Sequence, residues 1–192
     1  VRAAGLLLAA GAGSRYGMPK ALVEFEGELL VTRGQRLLRE GGCDPVLVVV
    51  GAFAAQVTAH VERAVLADDW SRGMGASLRA GLAALQDTDA DVVVLALVDQ
   101  PRVGPRSVER LIQAAADGAL AAVAAYDGML RNPVLLARSV WSEVAASAEG
   151  DVGARRWLRA RADLVTAVPC DDTGIPYDVD TPADLAALEA LA

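Results

Sequence analysis

Apolar residues along this chain follow two alternating patterns: short unbroken runs, and longer stretches in which they recur every three or four positions. The runs Ala4–Ala9, Pro45–Val50, Ala64–Ala67, Asp91–Val98, Leu120–Ala125 and Leu164–Val168 are built largely from Val, Leu and Ala, and read as buried strands. Between them, Val31–Glu40, Ala54–Glu62, Ala76–Leu85, Arg106–Asp117, Arg138–Ala146, Gly153–Ala160 and Pro182–Leu191 carry helical periodicity. Buried strands alternating with amphipathic helices predict an α/β fold around a mostly parallel sheet. The unbroken run at Val92–Val98 suits a central strand covered on both faces. Local signals agree at two helix ends. Thr181-Pro182 sets an N-cap before a first-turn proline with Asp184 at N3, and Gly41-Gly42 closes the helix that precedes Pro45. No Pro/Gly/Ser-rich linker and no repeat divides the chain, so one domain over residues 1–192 is expected.

Composition narrows the class of partner. Aromatic content is 4% within a hydrophobic content of 54%, so Ala, Val and Leu must fill the core. The net charge of −7 argues against general nucleic-acid binding, although not against one small anion held by local cations. No apolar stretch approaches the ~20 residues of a membrane span. A signal peptide's basic flank and apolar core are missing at the N-terminus, which opens on Val1 rather than Met, so a first residue or short leader is expected ahead of it. Cys43 and Cys170 stand far apart, outside any metal-ligand spacing, which fits a reduced, cytoplasmic protein. His60 is the single histidine, and a multi-His metal centre is excluded.

In open α/β sheets ligands bind beyond the carboxyl ends of the strands, so the residues that follow each strand matter most. After the first strand comes Leu8-Ala9-Ala10-Gly11-Ala12-Gly13-Ser14-Arg15-Tyr16-Gly17-Met18-Pro19-Lys20. Gly11, Gly13 and Gly17 let backbone N–H groups approach phosphate oxygens, and Arg15 and Lys20 add charge. Neither the Walker A spacing nor the dinucleotide fingerprint is met. After Val98 comes Asp99-Gln100-Pro101, whose carboxylate has two candidate uses. It can hold a hard cation such as Mg²⁺ together with substrate phosphates, or cap the helix beginning near Pro105, for which Gly104 lies nearer. Gly73-Met74-Gly75-Ala76-Ser77 opens a helix, which suits a ligand or merely close packing. In Asp178-Val179-Asp180, alternation sends both acids to one face. One of them is a candidate second metal ligand; the bland reading is a cap plus a solvated acid.

Taken in order, LAAGAGSRYGMPK, WSRGMGASLRAGL, VDQP, GDVGAR and DVDTPADL resemble the MobA-like nucleotidyltransferase family, and within it the MocA branch of molybdenum cofactor cytidylyltransferases. The likeness runs from about Gly5 to Leu188. It implies a three-layer α/β/α, Rossmann-like nucleotidyltransferase fold. The implied reaction is Mg²⁺-dependent transfer of CMP from CTP to the terminal phosphate of molybdopterin, with release of pyrophosphate. It implies that the backbone of Ala9, Ala10 and Gly11 contacts the base, with Leu8 also nucleotide-binding, that Gly13, Ser14, Arg15 and Lys20 hold the triphosphate, and that Gly75 and Ser77 line the base and ribose pocket. Asp99 and Asp180 are implied as metal ligands, with Asp178 the weaker of the final pair. Arg15, Lys20 and Asp99 carry catalysis in this reading. A phosphate acceptor is already an anion, so no general base is required, and positioning and electrostatics do the chemistry.

The methyl of Ala10 stands where guanine-specific members have glycine, which favours CTP over GTP. Arg131 replaces a glycine before Asn132-Pro133, in the part of the family that lies toward the acceptor. Asn132, Asp151 and Arg155 are the candidate acceptor contacts, with helix capping the other reading of Gly150–Arg155. Alternatives are transfer to another phosphorylated small molecule such as a sugar or polyol phosphate, a GT-A glycosyltransferase using Asp178-Val179-Asp180, and a non-catalytic nucleotide or cofactor carrier. An enzyme that receives the finished cofactor is the expected protein partner.

Overall fold

The first strand, β1 (Ala3–Leu8), is buried at every position and shows why the sheet is covered twice. Ala4, Leu6 and Leu8 pack into one apolar cluster, whereas Ala3 and Leu7 pack into another on the opposite face. The protein is described here by a computed structural model covering residues 1–191. The other strands are β2 (Glu24–Phe25), β3 (Glu28–Leu29), β4 (Val46–Val50), β5 (Ala64–Leu66), β6 (Val92–Leu97), β7 (Ala121–Tyr126), β8 (Met129–Ala137) and β9 (Val165–Pro169). The helices are α1 (Leu30–Glu40), α2 (Ala54–Thr58), α3 (Met74–Ala84), α4 (Pro105–Ala116), α5 (Trp141–Ser147), α6 (Arg155–Ala160) and α7 (Pro182–Glu189). The main sheet has seven strands in the order β5-β4-β1-β6-β8-β7-β9. Leu78 and Leu82 of α3, Trp141 of α5 and Trp157 of α6 cover one face; Val31 and Leu38 of α1 with Val108 and Leu111 of α4 cover the other. This is a three-layer α/β/α fold, and β6 is its central strand.

β5, β4, β1 and β6 are mutually parallel, so their carboxyl ends share one edge. β8 runs against both β6 and β7. The run pattern does not predict β8, for a physical reason. Its first half, Met129–Arg131, projects into solvent, and only Val134–Leu136 reads as an apolar run. The paired residues of the small β2–β3 hairpin are equally short, with Glu26 and Gly27 at positive φ in its turn.

Helix α2 ends at Thr58, short of the expected Glu62. The buried Gln35 of α1 takes over the backbone there. Its amide donates to the His60 carbonyl at 2.9 Å and its carbonyl accepts from the Glu62 N–H at 3.3 Å. At α7 the capping signal is realised in full: the Thr181 hydroxyl accepts from the Asp184 N–H at 3.2 Å, and the Asp184 carboxylate accepts from the Thr181 N–H at 2.8 Å. Among the described residues no helix is long and apolar enough to cross a membrane. Cys43 and Cys170 are buried free thiols.

Candidate active site

The loop after β1 is stitched to the end of β4. Ala9 donates to the Val49 carbonyl and Ala52 to the Ala10 carbonyl, each at 3.0 Å. Leu8, Ala9 and Ala10 are buried, and the chain emerges at Gly11. Gly13 has φ +64°, and a Cβ there would run into the Met18 carbonyl, so the turn requires glycine twice over. The turn closes with the Gly17 N–H on the Gly13 carbonyl at 2.9 Å. Among the described residues, the N–H groups of residues 11–15 donate to no other backbone group, and successive free amides in a turn form a concavity suited to an anion.

Below this loop three charged side chains meet. The Lys20 ammonium donates to Asp99 Oδ2 at 2.9 Å and to Asp180 Oδ1 at 2.6 Å. Arg15 stands outside this contact, 3.8 Å from Asp180 with its guanidinium largely in solvent. Asp99 follows β6, whereas Asp180 precedes α7, and the backbone joins the two segments: the Val179 N–H donates to the Asp99 carbonyl at 2.8 Å. Asp99 therefore caps no helix; Gly104 holds the N-cap of α4.

The charges respond to this crowding. Burial pushes the Asp99 carboxyl up, and nearby Asp178 and Asp180 add to that, outweighing the opposing pull of Lys20. Burial also works against the charge on Lys20, yet its hydrogen bonds and attraction to Asp180 and Asp99 raise it above its ordinary value. The two shifts run the same way, because burial opposes the charge on both groups while their contact favours it, burial prevailing at Asp99 and contact at Lys20. Asp99 Oδ1 is buried and makes no hydrogen bond. An orphaned carboxylate oxygen of this kind is what a hard cation would satisfy.

The two acids before α7 differ in their partners. Val179 is fully buried among Val23, Phe25, Leu30 and Leu188, so Asp178 and Asp180 flank it as alternation predicts. Asp180 takes Lys20, and Asp178 accepts from the Gln100 amide at 2.7 Å. Gln100 is buried, and nothing in the sequence alone marks it as functional. Its only signal is a polar side chain directly after the acid that ends the central strand.

The remaining candidates lie around this edge at different depths. Ser77 is buried in the first turn of α3. A Cβ on Gly75 would come 2.8 Å from the Ala148 and Glu149 backbone, so close packing of α3 on that segment accounts for this glycine. One on Gly73 would meet Asp151 Oδ1 at 2.6 Å, which places Asp151 beside the start of α3. Arg155 is exposed at the first turn of α6. Asn132 lies on β8 two residues before Val134, which pairs with Leu95, and stands near Leu97 and Gln100. The structure thus brings Lys20, Asp99 and Asp180 into direct contact, with Arg15 at their margin. It leaves Asn132, Asp151 and Arg155 around them without mutual contacts.

Comparison with known proteins places the fold in a family. Residues 5–168 match the MobA-like NTP transferase domain. The chain belongs to the MobA-like NTP transferase family. At that level its activity class is nucleotidyl transfer. A relative, nicotine blue oxidoreductase of Paenarthrobacter nicotinovorans, is 39% identical over 189 residues, covering 92% of this chain and 91% of the relative. A probable molybdenum cofactor guanylyltransferase of Opitutus terrae is 32% identical over 126 residues, 65% of this chain and 61% of that one. The crystal structure of a manganese complex of Rv0371c from Mycobacterium tuberculosis H37Rv superposes with a TM-score of 0.81 at 27% identity, covering both chains fully. The matched region holds the glycine loop after β1, Lys20 and the buried acid after the central strand, while Asp180 lies just beyond it.

Proposed function

We propose that this MobA-like chain transfers CMP from CTP to the terminal phosphate of a molybdopterin-type acceptor and releases pyrophosphate. The observation that carries the reading is Lys20 bridging Asp99 and Asp180 beneath a loop of free amides. In that reaction an acceptor phosphate oxygen attacks the α-phosphorus, the bond to the bridging oxygen of the β-phosphate breaks, and pyrophosphate leaves with that electron pair. Residues 11–15 would hold the triphosphate through their N–H groups, Arg15 would neutralise its outer oxygens, and Lys20 would stabilise charge building on the α-phosphate and the leaving group. Asp99 and Asp180 fit a divalent cation, Mg²⁺ in this reading, because Asp99 Oδ1 is buried without a partner. Such a cation would supply charge neutralisation between two anionic reactants. The manganese complex of Rv0371c supports a divalent metal in this fold.

Support for the base and the acceptor is of a different kind. The Ala10 carbonyl is already taken by the Ala52 N–H, which leaves less backbone edge for a purine, and an alanine where guanine-specific members have glycine favours CTP over GTP. The acceptor rests on the family motifs and on the molybdenum cofactor enzyme among the relatives, although that relative is named for guanylyl transfer. Asn132, Asp151 and Arg155 are its candidate contacts. The deciding experiment presents the four NTPs with Mg²⁺ or Mn²⁺, with and without a molybdopterin source, and measures pyrophosphate. CTP-dependent release only with the acceptor is expected. Release with GTP alone would overturn the base assignment, and release with a sugar phosphate in place of the pterin would overturn the acceptor.

A second reading follows from the name of the Paenarthrobacter relative, which is that of an oxidoreductase. In it the same loop would hold the pyrophosphate of a nicotinamide dinucleotide. Oxidation of NADH or NADPH by a quinone-type dye, measured beside the pyrophosphate assay, separates the two.

A further inference from the structure

Asp178 and Asp180 present two carboxylates on one face of an extended strap, with Val179 anchored opposite. Beneath the loop the Lys20 ammonium stands 2.9 Å from Asp99, at the position where a cation would sit between Asp99 and Asp180. Two acids competing for one cation-binding position is a selection problem, because a second carboxylate entering would crowd Asp99. The structure contains a device that separates them. Gln100 is 7% exposed, and its amide donates to Asp178 Oδ1 at 2.7 Å. The turn that carries Gln100 is itself held, since Arg33 donates to the Pro101 carbonyl at 2.6 Å and packs over the Phe25 ring at 4.8 Å. On the other side Asp180 is fixed by its own N–H, which donates to the Asp184 carboxylate at 3.0 Å.

We propose that Gln100 is a positioning residue that sorts the two acids, holding Asp178 aside so that Asp180 alone faces Lys20 and the cation. The amide suits this task better than a cation would. It satisfies one carboxylate oxygen without adding a second positive charge beside Lys20, and it is neutral at every pH of interest. The inference rests on the nucleotidyltransferase reading for its functional consequence, but not for its geometry.

The test uses the full chain and four forms: wild type, Gln100→Leu, Asp178→Asn and the double variant. Mn²⁺ binding in the presence of a non-hydrolysable NTP analogue is read by electron paramagnetic resonance, beside kcat, the KM for NTP and thermal stability. Gln100→Leu releases Asp178 to compete for Lys20 and the metal. It is expected to weaken Mn²⁺ binding and to lower kcat by about tenfold to a hundredfold, as a misplacement near 1 Å does, with the KM for NTP little changed. Asp178→Asn alone keeps an acceptor for the Gln100 amide and is expected to stay within about threefold of wild type, well under that loss. The double variant is decisive. Removing the competing charge restores Mn²⁺ binding and kcat if Gln100 sorts the acids. It restores neither if Gln100 only fills space, and that result would overturn the proposal. Failure of the wild type to release pyrophosphate from any NTP would instead overturn the nucleotidyltransferase reading, and the Mn²⁺ measurement would still test the sorting.

Discussion

Lys20 sits where two demands meet, since the carboxylates of Asp99 and Asp180 hold it now and a triphosphate would claim it during turnover. Lys20→Ala is expected to lower kcat by about 10²- to 10³-fold, the usual cost of removing one donor from developing charge. A change below threefold in pyrophosphate release would remove it from the mechanism. Asp99 supplies the opposite lesson, because burial raises its pKa even beside Lys20, with Asp178 and Asp180 adding repulsion. A carboxyl whose folded pKa lies above its unfolded value binds more protons when folded. Its contribution to stability therefore falls as pH rises from the ordinary carboxylate range through the raised value. Asp99→Asn removes that dependence, so the variant's Tm is expected to fall less than that of wild type as pH rises above the ordinary carboxylate range, while activity is lost. Melting curves from pH 4 to 8 check this; parallel curves for the two proteins would contradict it. Of these residues the sequence shows Arg15, Lys20 and Asp99 as chemistry after strands, and Asp180 as an acid before the last helix. It does not show Gln100, whose role exists only through its contact with Asp178.

Helix α7 illustrates how far local signals reach. The Thr-Pro-x-Asp pattern predicts a capped start, and the capping box is present as read. Thr181→Ala is expected to cost about 1 kcal/mol, measured by urea unfolding, because the Asp184 N–H loses its acceptor at the helix start. The Asp184 carboxyl is held below its ordinary value, first by Thr181 and then by the backbone N–H groups it accepts from. Its stabilisation is present above the ordinary carboxylate range and is lost as pH falls through the depressed folded value. The wild type should thus lose more of its stability on acidification than an Asp184→Ala variant, and parallel pH profiles for the two would refute the coupling. Other elements were hidden because their causes are tertiary. β8 is half solvent-facing and gains its strand character from pairing with β6 and β7. α2 stops early because Gln35, far off in sequence, satisfies the backbone that would have continued it. Gly75 reads as a ligand-side glycine, yet its neighbour is the Ala148–Glu149 backbone.

At the scale of the whole molecule, the alternation of runs and periodic stretches is enough to predict a mostly parallel sheet with a doubly covered central strand, because parallel strands buried on both faces write themselves as continuous apolar sequence, whereas the three layers come from the resemblance. The site was legible to the extent that the α/β edge rule applies, since β1 and β6 are parallel neighbours and their following residues must share an edge. The last segment was placed at that edge by resemblance alone, and the structure supplies the reason: Val179 docks under Val23 and Phe25 while its N–H joins the Asp99 carbonyl. The candidate site is thus assembled from residues near 11–20, 99 and 178–180, which bring together both ends of the chain and its central strand. A ligand contacting all three segments binds the folded chain and has nothing comparable to bind in the unfolded one. At a hundredfold excess over its Kd, such a ligand stabilises by about 2.7 kcal/mol. For a domain of this size that corresponds to a rise in Tm of roughly 5–10 °C. CTP with Mg²⁺ is therefore expected to raise the Tm of the wild type by several degrees, and GTP by less. The Lys20→Ala and Asp99→Asn variants should lose most of this shift whatever their own baseline stability, because the shift measures contacts with the ligand rather than the strength of the fold. An undiminished shift in both variants would place the nucleotide elsewhere on the molecule.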